Sequence, residues 1–435
     1  MTTITNARIW AISWPIILSN ATVPILGAVD TAVVGQIGQA APIGAVGLGA
    51  VILASVYWIF GFLRMGTSGL AAQAHGAGDQ VERAAILYRA LVIGLGFGLI
   101  IVVAQAGLFW AAFRLAPASD QIESLAQEYL SIRIWGAPAT IALYAVNGWL
   151  IAVERTRSVL ILQIWINGVN AVLDLWFVLG LGWGVQGVAL ATLTAEVTGL
   201  CLGLWLCRAA FGPIWQSALA ALRNAVALRR MLSVNGAIML RTVLLQGAFT
   251  SFLFLSAGQG DQSLAANQVL MQFLSITAYA LDGFAFAAET LVGQAVGARA
   301  RDDLQRAARL SFRWGIAGSL LLGLAFGLGG PVLIDLMTTA PDVRAEARSL
   351  LIWVALAPVI GIASWMYDGI FIGATLTRAM VISVAVAVVA YGAAVALLPP
   401  IFGNHGLWAA LMVLNAMRGI TAGLMWPGLR RGLMT

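Results

Sequence analysis

The chain is 435 residues long, 61% hydrophobic and only 10% charged, where an ordinary soluble domain carries about 25% charged residues. That much apolar side chain cannot be hidden in a soluble core, so most of the surface must face lipid; the 48 glycines follow no Gly-x-y period, which excludes a collagen. The 24 basic residues, all arginine, exceed the 18 acids by a net +6 but gather on no soluble segment, so no nucleic-acid partner is expected.

In chain order, the first apolar run follows a single arginine, Arg8, and meets no small-x-small cleavage signal. It reads as a first transmembrane helix that stays attached. Turn and charge punctuation cuts the rest into runs of spanning length. The twelve predicted spans are 10–34, 48–73, 86–110, 129–152, 159–181, 184–207, 231–257, 264–290, 312–335, 349–373, 379–398 and 404–427. Pro15, Pro24, Pro138 and Pro358 fall inside them and are tolerated where neighbouring helices satisfy the freed carbonyls. Cys201 and Cys207 stand six residues apart, about 9 Å along a helix and too far for a disulfide, and read as two buried small hydrophobes. Between the sixth and seventh spans, 208–230 is the one candidate linker. It is expected to form either a short amphipathic helix along the inner membrane surface or a partly helical tether.

Arginine placement fixes the sidedness. With the N-terminus inside, the inner face receives 17 arginines, from Arg8, Arg83 and Arg89 to Arg430 and Arg431, and the outer face 3, namely Arg114, Arg344 and Arg348. This predicts a multi-pass protein with both termini cytoplasmic.

The halves also match each other. Gln73 aligns with Gln294, Gly76 with Gly297, Gly148 with Gly369 and Thr156-Arg157 with Thr377-Arg378, all at an offset of 221, while Ala137-Pro138 meets Ala357-Pro358 at 220 and Gly187 meets Gly406 at 219. Matches in constant order imply two repeats of six helices. Six is even, so the repeats are parallel, and their pseudo-twofold axis is expected along the membrane normal. The expected fold class is therefore an all-α polytopic membrane protein of twelve helices, with lobes 1–207 and 231–435 joined by 208–230. A channel would show a filter or a charged ring, and an enzyme would gather His, Asp or Cys on one face, whereas His75 and His405 lie near opposite faces. A transporter remains, with no cofactor and no metal site expected.

Ionisable groups at membrane depth mark a cavity or a partner. Asp30 lies about two thirds through the first span, and Asp174 is at a similar level in the fifth. Asn167, Asn170 and Asp174 occupy i, i+3 and i+7, one helix face. Desolvation and a second nearby carboxylate favour a protonated carboxyl and a bound cation opposes it, so proton and cationic substrate can compete for such a pocket. A Na+ site draws on the same carboxylate and amide oxygens. Glu196 either lines that pocket or locks helix packing. In the second half, Asp282 and Glu289 share a face at i, i+7, and Arg241 is placed to pair with one of them as a latch or to belong to an anion-binding surface; the latch is favoured.

Four segments, PIILSNATVPILGAVDTAVVGQIG, FLRMGTSGLAAQAHGAGD, INGVNAVLDLWFVLGLGWGVQGVALAT and ITAYALDGFAFAAETLVGQAVGAR, resemble the multidrug and toxic compound extrusion family, in its DNA-damage-inducible protein F branch. The resemblance covers nearly the whole chain. It implies a V-shaped protein of two six-helix lobes that exports organic, cationic or amphipathic compounds in exchange for H+ or Na+. It also implies that the acid of the first helix falls on Asp30 and the polar cluster of the fifth on Asn170 and Asp174, with Thr192 a looser match. The helix 7 acid of the sodium-coupled branch is missing, since LRTVLLQGAFTSFLF offers Arg241 instead, while Asp368 remains a candidate cation ligand. Proton coupling is therefore the expectation. Arg241, Asp282 and Glu289 resemble charged positions of this branch. The resemblance leaves two alternatives, export of an organic anion such as citrate and translocation of a lipid-linked substrate. The partners expected are a small organic substrate and membrane lipid, with the protein a monomer.

Overall fold

The computed structural model describes residues 3–36, 38–116, 118–212 and 215–433, and helix is the only regular structure among them. Among the described residues, twelve helical stretches are long and apolar enough to cross a membrane: Asn6–Gly35, Ala40–Gly76, Gln80–Val103, Asp120–Ala152, Thr156–Gly180, Gly184–Leu206, Ala225–Ala257, Asp261–Gly297, Arg301–Met337, Pro341–Gly373, Thr377–Leu397 and Pro399–Gly432. These are spans 1 to 12, as many as the sequence predicted. Several outrun their predicted ends, span 9 beginning at Arg301 rather than 312, because hydropathy registers only the lipid-buried part while helical hydrogen bonding continues beyond it.

Two breaks were not predicted. Span 2 turns at Phe60 between Ala40–Ile59 and Gly61–Gly76, and the run expected at 86–110 is interrupted at Ala104, where a second helix, Gln105–Leu115, begins. Of the linker, Pro213 and Ile214 lie outside the described residues. The remainder holds a 3-10 turn, Arg208–Phe211, and a short helix, Trp215–Ala221, with Ala218 buried and Trp215 and Leu219 exposed. Span 3 holds it. Arg89, counted from the sequence as interfacial, is buried, and its guanidinium donates to Glu82 (2.7 Å) and to the carbonyl of Ala221 (2.7 Å). Cys207 is buried as expected, but Cys201 is exposed on the outer surface of span 6.

Packing groups the chain into two compact units, residues 18–232 and residues 1–17 with 233–435. These boundaries differ from those of the repeat, because the start of span 1 packs with the second group. In the first unit, Leu53, Tyr57, Tyr129, Leu130 and Val188 build the core. In the second, Phe252 stands edge-on to Trp408 (5.2 Å) and Phe273 to Phe326 (5.1 Å).

The duplication is written into the backbone. Gly148 lies against the main chain of Arg64, and Gly369 against that of Ala285, both pairs related by 221 residues. A side chain at either glycine would strike backbone, so spans 2 and 4, and likewise 8 and 10, approach only through glycine. Helix ends repeat as well. The amides of Gly78 and Asp79 donate to His75 and Ala74, and those of Arg299 and Ala300 to Val296 and Ala295. Glu154 and Arg155 repeat the pattern with Ile151 and Leu150, and Thr375 and Leu376 with Ile372 and Phe371. Such ends need a left-handed residue, supplied by Gly78 (φ +73°), Arg299 (+53°), Glu154 (+60°) and Thr375 (+53°). Only the first is glycine, so three of the ends carry a backbone penalty of about 1 kcal/mol each.

Candidate functional site

The fifth span is an α-helix from Thr156 to Asp174 and continues as a π-helical turn, Leu175–Gly180, in which the amide of Leu181 donates to the carbonyl of Trp176. A π segment inside a helix often marks a functional site, and this one begins at the residue after Asp174. Asn170 and Asp174 are fully buried. The amide of Asn170 donates to the hydroxyl of Thr192 on span 6 (3.1 Å), which in turn donates to the carbonyl of Val188 (3.0 Å). Asp30, half-buried on span 1, meets both Asp174 and Asn170. Four of the five side chains assigned to this pocket from the sequence, Asp30, Asn170, Asp174 and Thr192, thus come together within residues 18–232.

Asn167 does not join them. Its amide donates to the carbonyl of Thr22 (3.0 Å) and its oxygen accepts from Gln163 (2.8 Å), so the predicted i, i+3, i+7 face is divided. Asn167 ties span 5 to span 1, while Asn170 and Asp174 face the cluster.

The polar chemistry of the cluster is one-sided. Oδ1 of Asp30, both carboxyl oxygens of Asp174 and Oδ1 of Asn170 are buried with no hydrogen-bond donor among the described residues. A buried acceptor without a donor costs about 1–3 kcal/mol, more if charged. Four acceptors around one point are satisfied by what the side chains lack, a proton or a bound cation. No group of three or more His, Cys, Asp or Glu side chains among the described residues is arranged to hold a metal ion.

Glu196, left open between pocket and packing, forms a two-toothed ion pair with Arg133 at 2.6 and 3.0 Å. Gly136 makes room for it, because a Cβ there would run into Oε2 of Glu196. Glu196 therefore locks span 4 to span 6. Arg133 was not picked out from the sequence, although an arginine inside an apolar run is itself a signal that a partner exists.

In the other unit the expected pairing of Arg241 is corrected. Its guanidinium binds not Asp282 or Glu289 but the carboxylate of Asp368, whose Oδ2 also accepts from Arg418 at 2.6 Å. Arg418, overlooked within the twelfth span, donates in addition to Asn415 (3.2 Å). Asp368 on span 10 falls between spans 7 and 12, whereas Asp282 and Glu289 lie on span 8, the first half-buried and the second buried. A carboxylate holding two guanidiniums is neutralised twice over, so Asp368 is a poor cation ligand.

A family model described as MatE matches residues 15–176 and 237–398, two stretches that begin 222 residues apart and so follow the internal repeat. DNA damage-inducible protein F of Escherichia coli (strain K12) is 39% identical over 428 residues, covering 98% of this chain and 92% of that protein. Protein DETOXIFICATION 44, chloroplastic, of Arabidopsis thaliana is 26% identical over 454 residues, covering 98% and 82%. Among solved structures, the bent form of the Vibrio cholerae MATE transporter VcmN superposes with a TM-score of 0.89 at 19% identity, covering 98% of this chain and 97% of that one. A MOP superfamily transporter from Pyrococcus furiosus superposes at 0.83 and 20% identity, covering 99% and 97%. At such identities these structures speak for the fold alone.

Proposed function

The chain belongs to the MatE family of multidrug and toxic compound extrusion transporters, and on that premise we propose that it exports small organic cations or amphipathic compounds in exchange for H+ through the Asp30, Asn170, Asp174 and Thr192 cluster. It is a multi-pass membrane protein and not an enzyme. The observation that carries the reading is the donor-free set of buried oxygens on Asp30, Asp174 and Asn170. A proton on either carboxyl supplies the missing donor. Without it the same oxygens attract a cation, so proton and cationic substrate exclude each other and entry of one expels the other. That exclusion is antiport.

H+ is preferred to Na+ because Asp368, the remaining candidate cation ligand of the sequence, already accepts from Arg241 and Arg418. The arginine distribution supports both termini in the cytoplasm, and similarity to a protein of Escherichia coli supports a bacterial inner membrane. A second reading, export of an organic anion, has one observation in its favour: Arg241 and Arg418 bring two guanidiniums to one carboxylate, and the Nε–H of each is buried with no acceptor among the described residues.

The test is transport by purified protein in sealed proteoliposomes, with pH and Na+ gradients imposed separately and a cationic dye and citrate offered in turn. Dye movement driven by the pH gradient alone is expected. Movement driven only by Na+ would overturn proton coupling, and movement of citrate but not dye would select the anion reading.

A further inference from the structure

Away from the polar clusters, spans 9, 10 and 12 enclose a cavity of about 520 Å3 where the start of span 9 meets the ends of the other two. Three guanidiniums line it, Arg309 and Arg313 one turn apart on span 9 and Arg430 on span 12, together with Phe312, Tyr367 and Trp426. We propose that this cavity binds the phosphate headgroup of an anionic phospholipid, with an acyl chain lying along the exposed leucines of span 9.

Arg309 and Arg313 are exposed and Arg430 is half-buried. No hydrogen bond or ion pair among the described residues holds any of the three guanidiniums. At the far end of spans 9 and 10 the arrangement is the reverse, since Arg348 and Arg344 share Asp335 at 2.6 and 3.6 Å. Asp302 and Asp303 sit in the first turn of span 9, about 10 Å along the helix from Arg309, and Asp368, next to Tyr367 in the chain, is already held by Arg241 and Arg418. A cluster of three unneutralised guanidiniums at the end of membrane-spanning helices attracts an anion at headgroup depth.

The wall explains why that anion carries a tail. Phe312 stands edge-on to Tyr367 (5.0 Å), and Phe371 bridges Tyr367 (5.9 Å) and Trp426 (6.3 Å), making a continuous aromatic side. Gly423 leaves the room that the Tyr367 ring fills, for a Cβ there would approach it to 3.3 Å. Interfacial aromatics beside cations suit a lipid headgroup and glycerol. From Arg309 and Arg313 the same face of span 9 continues through Ile316, Leu320 and Leu324, which are 44, 54 and 59% exposed. The eleven helical steps from Arg313 to Leu324 rise about 16 Å, one leaflet of a hydrocarbon core about 30 Å thick. A soluble phosphate would use the arginines and leave this track empty, whereas a lipid entering sideways from the bilayer uses both.

Native mass spectrometry of the detergent-purified chain, loaded from mixed micelles of phosphatidylglycerol and phosphatidylcholine, tests this. The expected result is one retained phosphatidylglycerol, favoured about tenfold over phosphatidylcholine. The variant R309Q/R313Q/R430Q should lose that preference, while R157Q/R223Q/R229Q, which neutralises three exposed arginines elsewhere, keeps it. Glycerol phosphate at the same concentration should not displace the lipid. For a readout that needs no variant, photoactivatable phosphatidylglycerol should label the wild-type peptide containing Arg309 to Ile316. Absence of preference in the wild type, equal loss in both triple variants, displacement by glycerol phosphate, or labelling confined to other segments would each overturn the proposal.

Discussion

In residues 18–232 the buried carboxyl of Asp174 meets Asp30 and Asn170 and no guanidinium, whereas in the unit of residues 1–17 and 233–435 the carboxylate of Asp368 accepts from Arg241 and Arg418. Both are acids in membrane-spanning helices, Asp174 fully buried and Asp368 partly so, yet their chemistry differs. A carboxylate held by two guanidiniums has its charge neutralised in place and gains nothing from a proton. A buried carboxyl whose oxygens make no hydrogen bond is incomplete until a proton or a cation arrives. The comparison separates a group suited to exchange from one suited to holding helices together.

The sharpest way to break the comparison is to give the first cluster a permanent donor. Asp174→Asn and Asp30→Asn each keep the side chain's size but cannot take up and release a proton, and each should lower pH-driven dye export by about 100-fold or more with insertion intact. Full gradient-driven turnover in either inserted variant would remove that residue from coupling.

Next in size is Asp368→Asn, which strands two buried guanidiniums and should destabilise the protein by about 3–5 kcal/mol, read as a lower Tm in detergent. Transport per folded molecule should fall far less than in Asp174→Asn. If instead export is lost at unchanged Tm, Asp368 is part of the exchange machinery and the contrast fails.

Gly136→Ala sharpens the picture inside residues 18–232, where the Arg133–Glu196 pair lies near the donor-free cluster. The added methyl crowds Oε2 of Glu196 and should cost about 1–3 kcal/mol, measured as thermal stability, with proton coupling retained. Arg241→Gln should cost less than Asp368→Asn, about 1–2 kcal/mol, because Arg418 still holds Asp368 at 2.6 Å. Equal losses from the two variants would show that the carboxylate is not shared. The smallest effect is expected from Thr192→Val, which removes the acceptor for the Asn170 amide at 3.1 Å. About 1 kcal/mol should appear as a several-fold rise in apparent KM for dye, and a change in kcat alone would argue against a positioning role.

Much of the site was legible because its signals are local. Asn170 and Asp174 lie four residues apart on one helix, so their shared direction follows from helical geometry. The fate of Asn167 was not legible, since it depends on the carbonyl of Thr22, 145 residues away. The same holds for the ion pairs. Arg133, Arg241 and Arg418 advertised themselves as arginines in apolar runs, but Glu196 lies 63 residues from Arg133, and Asp368 lies 127 and 50 residues from Arg241 and Arg418. The π turn after Asp174 has no marker in DLWFVLG that separates it from an ordinary helix.

The linear chain defines the twelve spans, through runs of apolar residues long enough to cross a bilayer. It determined the repeat too, because glycines where backbones touch and residues that end helices are constrained position by position, as Gly148 and Gly369 are. The repeat does not extend to these ion-paired charges, for 221 residues before Asp368 stands Asn147 and 221 after Arg133 stands Val354. Which acid meets which arginine, and which acids meet none, was decided only in the tertiary structure. The energy of a buried charge depends on what other helices bring within about 4 Å of it, and no pattern along a single helix contains that information.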